Sequence, residues 1–455
     1  MAGLALFLAA SGVSVIALAL AGGQGGSGPA GSQPTLPAGA SAAPTAPAPG
    51  SVLASPSPSA VAFAGILDGA AMQAAEWSAR KDQLPLAIML DNTANAYPHS
   101  GLASADLVYE AFVEGGITRL MAVYWRNEAP EVSPVRSART PFVTWALELG
   151  ALYAHAGGAS TWNEANAVGQ IAEWGVRDLD AFSTAAGAAY YRSSDRNVPY
   201  NLVTGTEKLR EAAASMGFSG PPTVQPWKFR APGSATVAGT PAEGMEVDFQ
   251  GSRYSWQLVQ WKWDATQRAY VRFAFGGPHV DSTTGKQVAF ATVIVMLVPG
   301  EVVDDSGHLL LQQIGEGPAT VFTGGQAITA TWKKPAREAR TRFFDASGAE
   351  IAFERGPIFI EVIDRQSKVI VSESSAGLPA LPPYEPPPPD AAPDEPPATA
   401  AQSPQDPASA TASPSKTSLP GQPSGTPPRP RSTPPTTAPP GTQPPVQAPN
   451  PSASP

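Results

Sequence analysis

Proline and glycine are distributed along this chain so that only its middle can pack. The 455 residues include 51 Pro and 43 Gly. Proline removes a backbone donor and both residues interrupt regular structure, so such a chain cannot be one uniform globule. The excess gathers at the ends. Residues 23–60 are mostly Ala, Gly, Ser and Pro without a charged side chain, and residues 377–455 are rich in Pro, Ala, Ser and Thr, with four consecutive prolines at 386–389. Neither stretch can bury a core, and both are expected to be disordered. The middle, residues 61–376, carries nearly all the aromatic residues and is long enough for two ordinary domains.

Residues 4–21 are apolar and uncharged, about the minimum length for a membrane span and slightly long for a signal-peptide core. Ala19-Leu20-Ala21 suits a small-x-small cleavage site, but no Lys or Arg precedes the segment. Residues 1–22 therefore read as a signal or membrane anchor. The protein is expected outside the cytoplasm, either tethered to the membrane or secreted after cleavage.

Net charge is −9, so no overall basic field gathers nucleic acid. Cysteine is absent, which excludes disulfides, thiolate zinc sites and a cysteine nucleophile. The four histidines are far apart and form no paired metal motif. No metal or cofactor is expected.

Hydrophobic periodicity predicts a mixed α/β part at 61–222. Residues 85–90 read as a buried strand ending at Asp91 and Asn92. Residues 107–114 and 117–125 read as a hairpin around Gly115-Gly116. A two-residue turn would pair Phe112 with Arg119 and place Glu110, Glu114 and Arg119 on one face, as an ion network or a ligand site. Further on, Thr140 has the position of an N-cap and Pro141 that of a first helical residue, so Arg136, Ser137 and Arg139 just precede a helix N-terminus. Backbone N–H groups, the helix dipole and two guanidiniums there suit a phosphate or carboxylate; the same arginines would equally suit pairing with Glu110 or Glu114. A strand at 151–155 ends at His155 beside Gly157-Gly158, and Ser160 is placed to cap a helix over 162–174. His155 reads as a base, a donor to a ligand, or a structural histidine.

Residues 223–376 read as β-rich. Hairpins are expected at 255–273, at 322–332 around Gly324-Gly325 and at 342–353, with a central strand over 288–298 and a closing strand over 357–363. His279 and Asp281 lie two apart near a turn that local bonds from Asp281 would tie. The fold class is α+β: a mixed α/β part, then a β-rich part, flanked by disordered segments.

The blocks Pro-Leu-Ala-Ile-Met-Leu-Asp-Asn at 85–92, Glu-Gly-Gly-Ile-Thr-Arg at 114–119, Pro-Val-Arg-Ser-Ala-Arg at 134–139 and His-Ala-Gly-Gly at 155–158 resemble the YerB-like bacterial lipoprotein family, over residues 84–370. The resemblance implies a two-part extracytoplasmic domain of unassigned biochemical function. Arg192, Arg196 and Asn201 match the family pattern, whereas Tyr200 stands where a histidine is expected. Gly23 follows Leu20-Ala21-Gly22 where the family carries a lipid-accepting cysteine, so anchoring by lipid is not expected.

Three functions remain open. In the first, Asp91, Asn92, Glu110, Glu114, Arg119, Arg136, Ser137, Arg139, His155, Arg196 and Asn201 serve a site for an anionic envelope polymer such as a peptidoglycan or teichoic-acid fragment. In the second, Glu110 with Glu114, or Asp91 with Asp106, act as the paired carboxylates of a glycan hydrolase. In the third, the chain is a scaffold that binds another envelope protein. Arg and Asn outnumber plausible nucleophiles, which favours binding over catalysis. If Arg119 alone held the two glutamates, Arg136→Ala or Arg139→Ala would change stability by less than about 1 kcal/mol.

Overall fold

The computed structural model describes residues 13–15, 63–234, 238–252 and 257–385. The predicted export segment lies outside these residues except for Val13–Val15, which pairs antiparallel with the strand Lys368–Ser372. The linker at 23–60 and the chain from 386 onward also lie outside them. Among the described residues the protein is strand-rich with four α-helices, α/β first and β-rich afterwards.

Its spine is a sheet in the order Arg342–Phe344, Gln326–Lys334, Gly315–Thr323, Thr292–Leu297, Ile358–Ile363, Leu107–Phe112, Thr118–Tyr124, Leu86–Asp91, Leu152–His155, Arg177–Asp180. Ile358–Ile363 lies between two parallel neighbours, Thr292–Leu297 and Leu107–Phe112. Backbone hydrogen bonds thus run without interruption from the first part of the sequence into the second. Every residue of Leu86–Asp91, Leu107–Phe112 and Ile358–Ile363 is buried, as expected for apolar runs covered on both faces.

One face, bearing Ala87, Met89, Tyr109, Met121 and Tyr153, packs against Phe142 and Trp145 of the helix Thr140–Glu148. The other face, bearing Ile88, Val108, Leu120 and Ala122, packs against Met245, Val247, Trp261 and Tyr270. Those four residues belong to a second sheet built from Lys368–Ser372, Gly244–Asp248, Leu258–Asp264 and Ala269–Ala274.

Three expected elements differ. The run 288–298 is not one strand: Ala289–Phe290 pairs with Ala269–Ala274 in the second sheet, and Thr292–Leu297 belongs to the first, so the chain crosses between layers at Ala291. The return arm of the hairpin at 342–353 is irregular: Glu350 bridges Phe344 and the Ile351 amide donates to the Phe343 carbonyl, but Phe353 bridges Phe229 instead of continuing a ladder. The helix after His155 is Ala167–Glu173 and is capped by Asn166, whose side chain accepts from the Gly169 amide, rather than by Ser160. The chain is still packed beyond residue 376: the Pro379 carbonyl accepts from Gln260 Nε2 at 2.7 Å, and the Tyr384 ring lies 5.8 Å from that of Phe275.

Candidate functional site

The parallel strands Leu86–Asp91, Leu107–Phe112 and Leu152–His155 share a direction, so their carboxyl ends gather Asp91, Glu114 and His155 at one edge of the sheet. In sheets of this kind loops at that edge build the binding site. The helix Thr140–Glu148 leads into Leu152–His155, which brings its N-terminus to the same edge. Its N-cap is Arg139, one residue before the expected Thr140.

The hairpin register differs from the two-residue reading. Val113 N–H donates to the Ile117 carbonyl, Glu114–Gly116 form a turn with Gly115 and Gly116 at positive φ, and Phe112 pairs with Thr118. A one-residue slip moves every side chain to the other face. Arg119 therefore pairs with Ala111 and Asp91 and joins the face of Met121 and Tyr109, while Glu110 pairs with Leu120 and points the opposite way. The expected cluster of Glu110, Glu114 and Arg119 does not form.

What forms instead is a cluster of Arg119, Arg136 and Arg139 with Asp91 and Glu114, all buried. Arg136 Nε donates to Asp91 Oδ2 at 2.5 Å, and Asp91 Oδ1 accepts the Thr93 amide at 2.7 Å and hydroxyl at 2.6 Å. Burial works to raise the Asp91 carboxyl, but Arg136 and the Thr93 bonds outweigh it and hold the group below the usual aspartate range. Arg139 grips Glu114 with two nitrogens, Nε at 2.8 Å and Nη2, and its Nη1 donates to the Ala138 carbonyl. Arg119 Nη1 donates to the Ser137 carbonyl at 3.1 Å, with Nη2 4.0 Å from Glu114. Arg119 is thus not the sole partner of the glutamates. Losing Arg136 or Arg139 would strand a buried carboxylate at a cost of about 3–5 kcal/mol, against the small change expected from sequence.

His155 lies at the same edge. Its ring nitrogens face the Gly157 carbonyl at 2.8 Å and Asp178 at 2.9 Å, with Asp180 3.8 Å away. The segment 136–139 is stitched to 156–159 by Ala138 N–H to Gly157 O and Ala156 N–H to Arg136 O. Arg and His residues thus sit on two neighbouring backbones.

Four predicted residues lie elsewhere. Asn92 Nδ2 donates to Glu110 and Thr118, both at 2.8 Å, on the opposite face. Glu110 there accepts from Arg272 Nη2 at 2.5 Å. Arg196 Nη1 donates to the Ala96 carbonyl and Nη2 to that of Pro98, and Asn201 bonds Arg192 and the Ser193 carbonyl. Both hold loops in place.

The buried layer behind Glu110 is a polar chain the sequence does not reveal. Arg272, Glu361, His279 and His99 are each wholly buried. Arg272 Nη1 faces His279 Nδ1 at 2.5 Å, His279 Nε2 faces His99 Nδ1 at 2.9 Å, and His99 Nε2 faces the Asp91 carbonyl at 2.6 Å. Arginine only donates and a carbonyl only accepts, so every link points one way and both imidazoles are neutral. Burial pulls His99 down to about 4, and burial beside Arg272 pulls His279 well below the usual range. Asp281 accepts the Thr283 and Thr284 amides, closing the expected local turn.

The proposed carboxylate pairs do not share a cleft. Glu110 and Glu114 serve opposite faces. Asp106 precedes the strand Leu107–Phe112, at the opposite edge from Asp91, and accepts the Trp125 and Arg126 amides. Burial and the neighbouring Asp68 push it up to about 7. Cavities of about 260 Å³, beside Arg80 and Arg126, and about 570 Å³, beside Arg340 and Phe344, lie away from the arginine cluster. Among the described residues no three His, Asp or Glu side chains group as metal ligands.

Aromatic residues around the edge escape a reading of charge and turn motifs. The Tyr200 ring covers Arg136 at 4.9 Å. Phe182 is 43% exposed and Trp162 fully exposed.

Residues 72–219 match the family described as protein of unknown function (DUF3048), N-terminal domain, and residues 245–360 match its C-terminal domain. Together these span more than half of the chain. A candidate lipoprotein of Bacillus subtilis (strain 168), YerB, is 28% identical over 253 residues, covering 56% of this chain and 74% of that protein. The crystal structure of the YerB protein from Bacillus subtilis superposes with a TM-score of 0.59 at 24% identity, covering 68% of this chain and 99% of the other, so the fold is shared. Two consecutive family domains, in order and joined by one continuous sheet, make this chain a member of the DUF3048 family, to which the YerB-like proteins belong.

Proposed function

We propose that this chain is an extracytoplasmic envelope protein whose folded region binds an anionic envelope component, of peptidoglycan or teichoic-acid type, at the carboxyl edge of its main sheet. The carrying observation is that three guanidiniums, those of Arg119, Arg136 and Arg139, gather around two buried carboxylates, Asp91 and Glu114, beside a helix N-terminus. Asp178 and Asp180 are nearer solvent and turn toward His155, so water screens them more strongly. Against a chain that carries −9 overall, this concentration of guanidiniums would draw an anionic polymer to this edge. In this reading Asp91 and Glu114 fix the guanidiniums in position, and a ligand at the edge is held by their field rather than by free forks. The candidate lipoprotein status of YerB supports an envelope location.

The test is co-sedimentation of the full chain with cell-wall sacculi, intact or stripped of their anionic polymers. The comparison variant is Arg139→Gln with Glu114→Gln, which removes the buried charges as a pair and leaves no orphan. Retention on intact walls that falls in the double variant and weakens with salt supports the reading. Equal retention of both proteins contradicts it.

A further inference from the structure

The most exposed large hydrophobic side chain among the described residues belongs to a loop that joins this cluster. Trp162 is fully exposed, as if it had no neighbours. Leaving an indole in water forgoes one of the largest hydrophobic gains open to a side chain, so its position calls for a use in the bound state. Its loop is firmly held. Thr161 Oγ1 donates to Asn163 Oδ1 at 2.7 Å, the Ala165 amide donates to the same oxygen at 2.8 Å, and Asn163 Nδ2 donates to Asp304 Oδ2 at 2.8 Å.

Both anchors lead to the arginine cluster. The ribbon before Trp162 is bonded to the arginine segment through Ala159 N–H to the Ala138 carbonyl. The Asp304 turn on the other side packs against the cluster, since a methyl group at Gly307 would lie 3.6 Å from Glu114 Cβ. Phe182 flanks the same ribbon, with its ring 3.3 Å from where a Gly157 methyl would stand. The edge thus offers flat apolar faces and guanidiniums together.

We infer that Trp162 is a stacking platform for a pyranose ring and that the ligand is an acidic glycan, its sugar faces lying on aromatic rings and its carboxylates directed to the arginine edge. This rests on the anion-binding reading above and narrows it. A pyranose presents a patch of C–H groups on one face, which packs on an indole, while its ring substituents remain free for hydrogen bonds. A polyol phosphate without rings offers charge but no such face. Charge complementarity selects the acid, and the exposed indole selects the ring.

Two probes separate the claims: an oligomer of a uronic acid, with rings and carboxylates, and inorganic polyphosphate, with charge alone. The full chain and its Trp162→Ala variant are titrated with each by calorimetry. Since the Trp162 side chain is exposed, the variant should melt at the wild-type temperature. The expected result is uronate binding weakened at least tenfold in Trp162→Ala, with polyphosphate binding unchanged. Equal loss for both probes, no loss for either, or wild-type binding of polyphosphate alone overturns the platform while leaving the arginine reading in place. Failure of the wild type to bind either probe overturns both.

Discussion

Glu361→Gln should be nearly silent while Arg272→Met should be severe, although the two side chains belong to one buried cluster. Glu361 and Glu110 are opposite each other on adjacent parallel strands, and both approach Arg272: Glu110 Oε2 at 2.5 Å from Nη2, Glu361 Oε1 at 4.0 Å from Nε. Two ionised carboxylates around one guanidinium would leave a net negative charge with no access to water. Burial and the adjacent Glu110 instead push Glu361 well above the usual glutamate range, so it is neutral. Glutamine reproduces that neutral group. Its oxygen can accept from Trp261 Nε1, as Glu361 Oε1 does at 2.7 Å, and its amide can be turned toward Glu110. The expected cost is below about 1 kcal/mol. Removing Arg272 takes away the buried ion-pair partner of Glu110 at a cost of about 3–5 kcal/mol, a large share of the roughly 5–15 kcal/mol that holds a domain folded. Urea unfolding followed by tryptophan fluorescence measures both. Equal losses in the two variants would mean that Glu361 is ionised and that the assignment is wrong.

Acid should destabilise the fold through His99. The folded imidazole titrates at about 4 and the unfolded one near 6.5, so its contribution is complete above about pH 6.5 and is lost as pH falls toward 4. That is on the order of 3 kcal/mol, and His99→Gln should flatten this part of the curve of unfolding midpoint against pH. Asp106 acts with the opposite sign, since its raised value makes stability fall as pH rises from about 4 to 7; Asp106→Asn should therefore steepen the acid loss in the same assay. Gly101→Ala should cost more than about 1 kcal/mol by thermal melting, because φ is +82° and a methyl group would lie 2.4 Å from the Glu131 carbonyl. Ending the chain after Glu385 should leave the melting temperature unchanged, whereas ending it after Gly377 should lower it by removing the Pro379 acceptor of Gln260 and the Tyr384 ring.

Local pattern was enough to place much of this architecture. The apolar run ending at Asp91, the Gly-Gly hairpins and the helix after Arg139 each have a short-range cause in turn chemistry, capping or periodicity. The register at Gly115-Gly116 does not. Both two- and three-residue turns satisfy the composition, and only pairing with Asp91 on the next strand sets Arg119 on its face. The partners of Glu110 were equally out of reach, because Arg272 is 162 residues away and is brought in by a second sheet. The sequence suggests a helix starting at Trp162 because Ser160 is a good cap. The Asn163 side chain closes a local turn there instead, and the helix waits for Asn166. The chain also crosses between layers at Ala291, in a run that is apolar except for Thr292, and a single threonine is too weak a mark to reveal the change.

The central claim is that the arginine edge binds anions, and the most direct measurement is titration of the full chain with an acidic glycan at low and high ionic strength, alongside the Arg139→Gln, Glu114→Gln double variant. The account predicts saturable binding by the wild type that weakens with salt, and at least tenfold weaker binding by a double variant that remains folded. Equal affinity in the two proteins, or no binding by the wild type at low salt, would contradict it.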